Sequence, residues 1–361
     1  MIIVLNGTLM SGNSPVAEIR HGHVLPLDMA RMPLYLRDHD DILGWLEARA
    51  IDRHRTNSRI LKKVFRLSDS SDLAAVLHSH GAAITDDYWF KVESEPDLTW
   101  QGVRFSADSF SEIALTGSFS SYSRQFTQEE LKAGTPELTN IGSYEKCWRI
   151  EDGFWWLYKN ENDLERFSEL FIATLGNTFG FSMAEYRESG DYAKTKDFTE
   201  GRLNFEPAAA IVGEDEDYVL NYERFVALKP SLGKEYLDIL FMDALCFNMD
   251  RHTKNYGVLR DRATGEVLCM APNFDNNIAL ISRGYGSNPR KTSPLLIDAF
   301  LDLLKEKQLP YSAPTLNREE LHRLAYAILP SADIRRDYVV SMVESRWNLL
   351  MDGIAETILI R

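Results

Sequence analysis

The feature that most limits how this chain can fold is an apolar run at residues 232–247 that ends in a polar segment. The run predicts a long, largely buried helix. The polar segment that follows, residues 248–255, reads NMDRHTKN. Two short apolar runs come next, at residues 256–260 and 266–270, and the DRATG sequence between them predicts a hairpin. The polar segment between helix and hairpin is therefore the first place to look for chemistry.

Composition limits the class of protein. The chain has 361 residues, enough for two or three structural units with cores of their own. Its formal net charge of -14 argues against a broad nucleic-acid surface, because an acidic protein repels phosphate backbones. The seven Lys and Arg side chains within residues 49–66 are interpreted as a solvated helix face, with a local basic patch as the alternative.

The 3 cysteines, Cys147, Cys246 and Cys269, fit neither a disulfide framework nor a zinc site. The chain shows no cleavable signal peptide, and its apolar runs are shorter than a bilayer span. These features predict a cytoplasmic protein without a membrane partner.

Four regions follow from the pattern of apolar runs and turn residues. Residues 1–116 predict an α/β subdomain with a strand at 1–5, a turn at Asn6-Gly7, helices at 40–50, 57–67 and 72–80, and a strand at 85–92. Residues 117–139 are polar and predict a linker or mobile loop.

The other two regions predict a mixed part and a helical part. Residues 140–228 predict strands at 147–150 and 154–158 joined by an EDG turn, a helix at 163–177, and further strands at 181–187, 208–212 and 223–228. Residues 229–361 predict the helix at 232–247, the hairpin, and helices at 294–306, 318–327 and 334–358.

The spacing Asp250-x-x-x-x-Asn255 is the arrangement of a protein-kinase catalytic loop, in which the Asp accepts the substrate proton and the Asn holds a metal. Two polar loop residues that only cap a turn would look the same. Asp275 follows the predicted hairpin and adds a second oxygen ligand of the kind Mg²⁺ prefers. Lys254 could offset charge on a transferring phosphoryl group.

A kinase also needs a strand lysine and a helix glutamate, and Lys159 and Glu169 stand at the expected places. A solvated strand-end lysine is the alternative for Lys159. Residues 140–146 read NIGSYEK, and a Gly-Ser turn there could cover phosphates with its backbone N–H groups or be an ordinary loop.

From residue 137 onward, these residues together resemble the HipA-like serine/threonine kinase family. DRHTKN at residues 250–255 is close to the family's Asp-x-His-x-Lys-Asn loop. The resemblance implies an α+β, bilobal, protein-kinase-like fold with a mixed N-lobe at residues 140–228 and a mainly helical C-lobe at residues 229–361. The first hundred residues carry no motif of the family's usual N-terminal subdomain.

The resemblance implies a role for each matching residue. Asp250 would be the catalytic base, and Asn255 and Asp275 would bind Mg²⁺. Lys159 would contact the α- and β-phosphates, and Glu169 would orient it.

Two further segments match motifs that contact nucleotide in this family. Gly142, Ser143 and Lys146 match its Gly-x-x-Glu-Lys phosphate loop, in which some members carry an autophosphorylated serine at an offset different from that of Ser143. Glu223 and Phe225 match the family's Glu-Arg-Phe hinge, which cradles adenine.

The activity that the resemblance implies is transfer of the ATP γ-phosphate to a serine or threonine of a protein, by a toxin or regulatory kinase that also phosphorylates itself. The cofactors would be ATP and Mg²⁺, and the partners a protein substrate and an antitoxin or regulatory protein. A small-molecule kinase and a nucleotide-binding pseudokinase or interaction module are the alternatives, because a fold does not fix the acceptor.

Overall fold

The computed structural model describes residues 5–67, 72–118, 120 and 124–359. The chain forms two compact units. The first comprises Met1–Asn160, Lys194–Glu206 and Leu259–Leu268, and the second comprises Glu161–Ala193, Pro207–Val258 and Cys269–Arg361. Helices and antiparallel strands are mixed along the chain, which confirms the predicted α+β class. The division into residues 1–116, 117–139, 140–228 and 229–361 stays a prediction.

A four-stranded antiparallel sheet forms the start of the first unit. Its order is β3-β2-β1-β4, with strands β1 (Gly7–Ser11), β2 (Ser14–Arg20), β3 (His23–Pro26) and β4 (Tyr88–Val92). Alternate side chains, among them Leu9, Ala17, Ile19 and Phe90, share one hydrophobic core.

The strand start differs from the sequence-based expectation. The predicted turn at Asn6-Gly7 is wrong, because Gly7 opens β1 with an extended φ of 158°. Residues 1–4 of the strand predicted at 1–5 lie outside the described residues. Strands β2 and β3 were not predicted.

Short helices lie between β3 and β4 and after β4 in the first unit. They are α1 (Leu34–Asp38), α2 (Ile42–Glu47), α3 (Thr56–Val64), α4 (Asp72–His78), α5 (Trp100–Val103), α6 (Ser111–Leu115) and α7 (Gln128–Ala133), with a 3₁₀ turn at Pro136–Thr139. Helix α7 and the 3₁₀ turn lie within the segment predicted as a linker, and Thr127 starts α7 with a capping box.

Two basic side chains of residues 49–66, Arg55 and Lys62, are buried and do not fit the solvated helix face, whereas four others are exposed as that interpretation expects: Arg53, Arg59, Lys63 and Arg66. Arg55 is 1% exposed and Lys62 is 0% exposed. The Lys62 ammonium lies 3.0 Å from the Asp72 carboxylate. Buried basic groups need such partners, because an isolated charge is costly to desolvate. The helix therefore presents part of its positive charge to the protein interior.

The predicted hairpin within residues 147–158 is confirmed. Strands β5 (Lys146–Glu151) and β6 (Phe154–Lys159) pair antiparallel. Asp152 and Gly153 have φ of 51° and 80°, the positive values that a tight two-residue hairpin turn requires.

Five further strands complete the sheets. They are β7 (Tyr186–Ser189), β8 (Tyr192–Lys196), β9 (Leu203–Pro207), β10 (Gly257–Asp261) and β11 (Val267–Met270). The sheet of β5 and β6 continues from β6 to β8, and a three-stranded sheet has the order β11-β10-β9. The unit boundaries fall inside β8, β9, β10 and β11.

Helices make up most of the second unit. They are α8 (Asp163–Thr178), α9 (Ala209–Val212), α10 (Tyr218–Leu228), α11 (Leu232–Cys246), α12 (Leu295–Glu306), α13 (Arg318–Ala327) and α14 (Arg336–Leu359). Helix α11 packs against α10, α12 and α14 and is buried along most of its length, as its apolar sequence predicts. No helix within the described ranges is long and apolar enough to cross a membrane.

Two predicted strands in this unit are wrong. Residues 208–212 and 223–228 lie in helices α9 and α10. Both are short apolar runs, which periodicity alone cannot assign to helix or strand. In α10 the buried side chains Asn221 and Phe225 are four residues apart, the helical repeat. The strand predicted at residues 181–187 appears only as β7, two residues of which fall in that range.

Candidate active site

The loop of residues 250–255, in the second unit, closely follows the end of helix α11. Phe247 ends the helix with a left-handed φ of 54°, and the buried side chain of Asn248 turns the chain. The Asn248 Nδ2 donates to Asp243 Oδ1 over 3.0 Å, while its Oδ1 accepts from the Asp250 N–H over 3.2 Å. The side chain of Asn248 therefore sets the direction in which the loop leaves the helix.

The loop is closed by Asn255. Its Nδ2 donates to the Asp250 carbonyl over 2.8 Å, and its Oδ1 accepts from the His252 N–H over 3.1 Å. The spacing that links Asp250 and Asn255 in the sequence is thus a direct contact in the structure. An amide oxygen has a second lone pair, so these bonds do not exhaust its capacity to accept.

Arg251 anchors the loop to helix α11. Its guanidinium binds the Asp243 carboxylate with two bonds of 2.9 Å each, and the two side chains are 2% and 1% exposed. Such bidentate pairs fix geometry as well as charge. The same guanidinium donates to the Asn255 carbonyl over 2.9 Å.

Arg251 also binds the second predicted element, the segment of residues 273–276. It donates to the Phe274 carbonyl over 2.7 Å, to Asn273 Oδ1 over 2.9 Å and to Asn276 Oδ1 over 2.8 Å. One buried arginine therefore connects the 250–255 loop with the 273–276 segment. The sequence did not predict this role, although Asp243 is the one charged residue in the apolar second half of helix α11 and was a signal for it.

Glu169 of helix α8 reaches the same segment. Its Oε1 accepts from the buried Asn276 N–H over 3.1 Å. Asp275 adopts a left-handed φ of 62°, and its N–H donates to the Tyr186 hydroxyl over 3.0 Å. Glu169 thus contacts Asn276, the residue that follows Asp275.

The two acidic side chains, Asp250 and Asp275, interact electrostatically. Loss of solvation within the surrounding protein raises the pKa of Asp250, and the Asp275 carboxylate raises it further, while His252 and Arg283 lower it. Two carboxylates that interact in this way suit a cation, and with the Asn255 amide oxygen they offer the hard oxygen ligands of Mg²⁺. Among described residues no cluster of three or more His, Cys, Asp or Glu forms a metal site.

The remaining predicted residues of the second unit are Lys254, Glu223 and Phe225. Lys254 is exposed and its ammonium lies 3.5 Å from the Glu214 carboxylate. Glu223 is exposed and forms an ion pair with Lys307. Phe225 is fully buried, in contact with aromatic rings of the core. Both Glu223 and Phe225 lie in helix α10, so the structure does not give them the extended backbone expected of a hinge.

The first unit holds the other predicted residues, Gly142, Ser143, Lys146 and Lys159. Lys146 and Lys159 face each other across the β5–β6 pair and are 9% and 4% exposed. Directly opposed residues project from the same face of a sheet, so two ammonium groups share one face here. Gly142 has a φ of 107°, and a Cβ there would collide with the end of the Lys146 side chain. Ser143 is exposed.

The comparisons with known proteins give a fold. No family model and no curated protein sequence matches the chain. A chain of the toxin–antitoxin complex of HipA, HipB and operator DNA from Shewanella oneidensis MR-1 matches with a TM-score of 0.52 and 13% identity, over 98% of this chain and 91% of that one. The chain has a HipA-like fold. The HipA-like fold expected from the 250–255 motif is thereby confirmed.

A second solved structure, of the proinflammatory kinase CtkA from Helicobacter pylori, matches with a TM-score of 0.47 and 16% identity. The match covers 60% of this chain and 92% of the CtkA chain.

Proposed function

We propose that this chain is a phosphotransferase that moves the γ-phosphate of ATP to a serine or threonine hydroxyl of a protein. The observation that carries the proposal is the joining of the 250–255 loop to the 273–276 segment by Arg251. Preorganised polar groups are the main contribution that a protein makes to phosphoryl transfer. A HipA-like kinase fold supports the same chemistry.

Asp250 is the proposed base. It accepts the proton of the acceptor hydroxyl as that oxygen bonds to the γ-phosphorus and the bond to the ADP oxygen breaks. Its raised pKa favours this step, since a base nearer in pKa to the working pH takes a proton more readily. The exposed Lys254 supports the transfer electrostatically.

The proposed Mg²⁺ ligands are Asn255 and Asp275. When bound, Mg²⁺ would supply positive charge that offsets the charge on the phosphate oxygens. Lys146 and Lys159 are the proposed phosphate contacts of the first unit, with Gly142 and Ser143 in the loop before β5. Ser143 is exposed and is the proposed site of autophosphorylation.

Asp250→Asn tests the role of the base. It keeps the size of the side chain but removes the proton acceptor, so transfer of labelled phosphate from ATP-Mg²⁺ should fall by about 10² to 10⁴. The affinity for ATP-Mg²⁺, measured by calorimetry, should change little and serves as the control. Phosphate transfer at the wild-type rate by this variant would rule out the role. Absence of transfer by the wild type to itself or to any lysate protein would rule out a protein kinase.

A cationic small molecule is the second candidate acceptor. The exposed residues 214–217, EDED, follow α9, and Ala209 of α9 donates its N–H to the Thr253 carbonyl over 2.8 Å. An acidic segment beside the loop favours a positively charged acceptor. Incubation with metabolite pools and ATP-Mg²⁺, followed by mass spectrometry, separates the candidates, because only a small-molecule kinase yields a phosphorylated metabolite.

A regulatory partner is part of the proposal because the matched HipA structure contains HipB. Affinity purification of the tagged chain from its own cells should recover a second protein in stoichiometric amount. Recovery of the chain alone would contradict this part of the proposal.

A further inference from the structure

We infer that Arg55 is a positioning residue that holds the 140–146 loop closed at its base, so that the N-terminal segment sets the affinity for nucleotide. This inference rests on the proposed function, because it takes the loop as the phosphate-binding element. Arg55 lies at the N-cap of helix α3, in the part of the chain that carries no kinase motif.

The contacts of Arg55 join the two ends of the loop. One terminal nitrogen donates to the Asn140 carbonyl over 3.0 Å, and the other donates to the Lys146 carbonyl over 2.6 Å. These carbonyls lie just before and just after residues 141–145. Because a guanidinium is planar and rigid, the two bonds together fix the separation of the loop ends.

Helix α3 holds the loop at a third point. The backbone N–H of Asn57, in the first turn of α3, donates to Glu145 Oε1 over 3.2 Å. Carboxylates are favoured at helix N-termini, where backbone N–H groups lack partners within the helix. The Arg55 Nε lies 3.9 Å from the other oxygen of Glu145. Two neighbouring parts of the N-terminal segment thus contact the loop.

A buried glutamate supports the base of the loop. Glu137 accepts from the Trp148 N–H of β5 over 2.7 Å and from Asn140 Nδ2 over 3.0 Å. It is 1% exposed. Asn140, which starts the loop, is therefore bound by both Arg55 and Glu137. Glu137 also binds strand β5, which follows the loop.

The expected effect concerns affinity rather than chemistry. A loop that is already ordered loses less conformational freedom when it binds phosphate, so its nucleotide binds more tightly. Without Arg55, residues 141–145 would be less ordered before nucleotide binds. Loss of two bonds from a charged donor predicts a rise of about 10- to 100-fold in the Kd and KM for ATP, with kcat changed much less.

The experiment compares Arg55→Met, Arg55→Lys and a matched control, Arg49→Met. Arg49 is a mostly buried arginine of the same segment that binds Asp86 and the Gly81 carbonyl, away from the loop. Two quantities are measured on the full chain: the Kd for ATP-Mg²⁺ by calorimetry, and hydrogen–deuterium exchange of peptides covering residues 140–147 without nucleotide.

The Arg55→Met variant should exchange faster in residues 140–147 and bind ATP-Mg²⁺ about 10- to 100-fold more weakly, whereas Arg49→Met should do neither. Arg55→Lys should be intermediate, since an ammonium keeps the charge but lacks the planar fork. It also keeps the test informative if Arg55→Met does not fold. If both Arg55 variants exchange as slowly as the wild type and bind ATP-Mg²⁺ as tightly, the inference is overturned.

The two proposals fail in different ways. If the wild type binds no ATP, the proposed function falls, and the claim about nucleotide affinity falls with it. Hydrogen–deuterium exchange of residues 140–147, measured without nucleotide, then still decides whether Arg55 holds the 140–146 loop. If the wild type binds ATP and only Arg49→Met weakens binding, the proposed function stands and the inference is overturned.

Discussion

The 250–255 loop and the 140–146 loop are each held by one buried arginine, but the two arginines come from different places in the chain. Arg251 belongs to the loop that it holds, and its partner Asp243 is eight residues away on the preceding helix. Arg55 is 85 residues before the first carbonyl that it binds. One loop is therefore organised by neighbours in sequence and the other by a distant segment.

The two arginines also differ in how their charge is balanced. Arg251 shares two bonds with a carboxylate, whereas the acceptors of Arg55 are neutral carbonyls. Burial lowers the pKa of Arg55, although Glu137 and Glu145 oppose this. The 250–255 loop therefore depends on an ion pair that is costly to break. The 140–146 loop depends on several weaker contacts.

The largest effect is expected from Asp243→Asn. The change leaves the Arg251 guanidinium buried without a carboxylate, which should lower the free energy of unfolding by about 3–5 kcal/mol. Denaturant unfolding followed by tryptophan fluorescence measures it. Asp238→Asn, on the same helix, loses the ion pair with the exposed Lys234 but keeps an amide oxygen that can accept from the Tyr311 hydroxyl, so it should cost about 1 kcal/mol or less. Equal losses in the two variants would remove the distinction drawn between the loops.

The sequence could mark residues 250–255 as a candidate loop because the contacts that order this loop are local. The spacing of Asp250 and Asn255 places them in one turn, and Asn248 and Arg251 lie in the same segment. The return of Asp275 to this loop could be anticipated from the hairpin between them. Prediction of roles for Glu223 and Phe225 rested on three letters of a motif, and these fall in a helix whose apolar face enters the core.

The sequence could not predict the contacts of the 140–146 loop. Arg55 stands among other basic residues, and nothing in that run marks it as buried, because burial is decided by segments far away in sequence. Glu137 was likewise part of a polar stretch interpreted as linker. Strands β2 and β3 were missed for a related reason, since short strands are stabilised by their pairing partners rather than by their own residues.

A smaller effect is expected from Gly142→Ala, which strains the 140–146 loop without touching Arg55. At a φ of 107° an alanine is disfavoured, so the variant should lose about 1–2 kcal/mol of unfolding free energy and bind ATP-Mg²⁺ more weakly. Gly153→Ala, at a φ of 80° in the β5–β6 turn, should lose similar stability without loss of affinity. Calorimetry measures the affinity of both variants for ATP-Mg²⁺. Equal affinities in the two variants would mean that the 140–146 loop does not contribute to nucleotide binding.

The effect expected from Glu137→Gln depends on pH. Burial raises the pKa of Glu137 to about 7, against the opposing effects of Asn140, Arg55 and the Trp148 N–H. In the unfolded chain the pKa of a glutamate is about 4.3. The folded protein therefore binds this proton more tightly than the unfolded chain. Its unfolding free energy should fall as pH rises from about 4.3 to about 7 and level off above that.

A glutamine at residue 137 cannot ionise, so the variant lacks this decrease. The difference in Tm, variant minus wild type, should rise from pH 5 to pH 8 by a few degrees, on the order of 2–3 kcal/mol of stability. Glu129→Gln on the exposed face of α7 is the control. A Tm difference that stays constant from pH 5 to pH 8 would mean that Glu137 carries the same charge in the folded and unfolded chain, and that Arg55 is balanced by a full carboxylate, as Arg251 is.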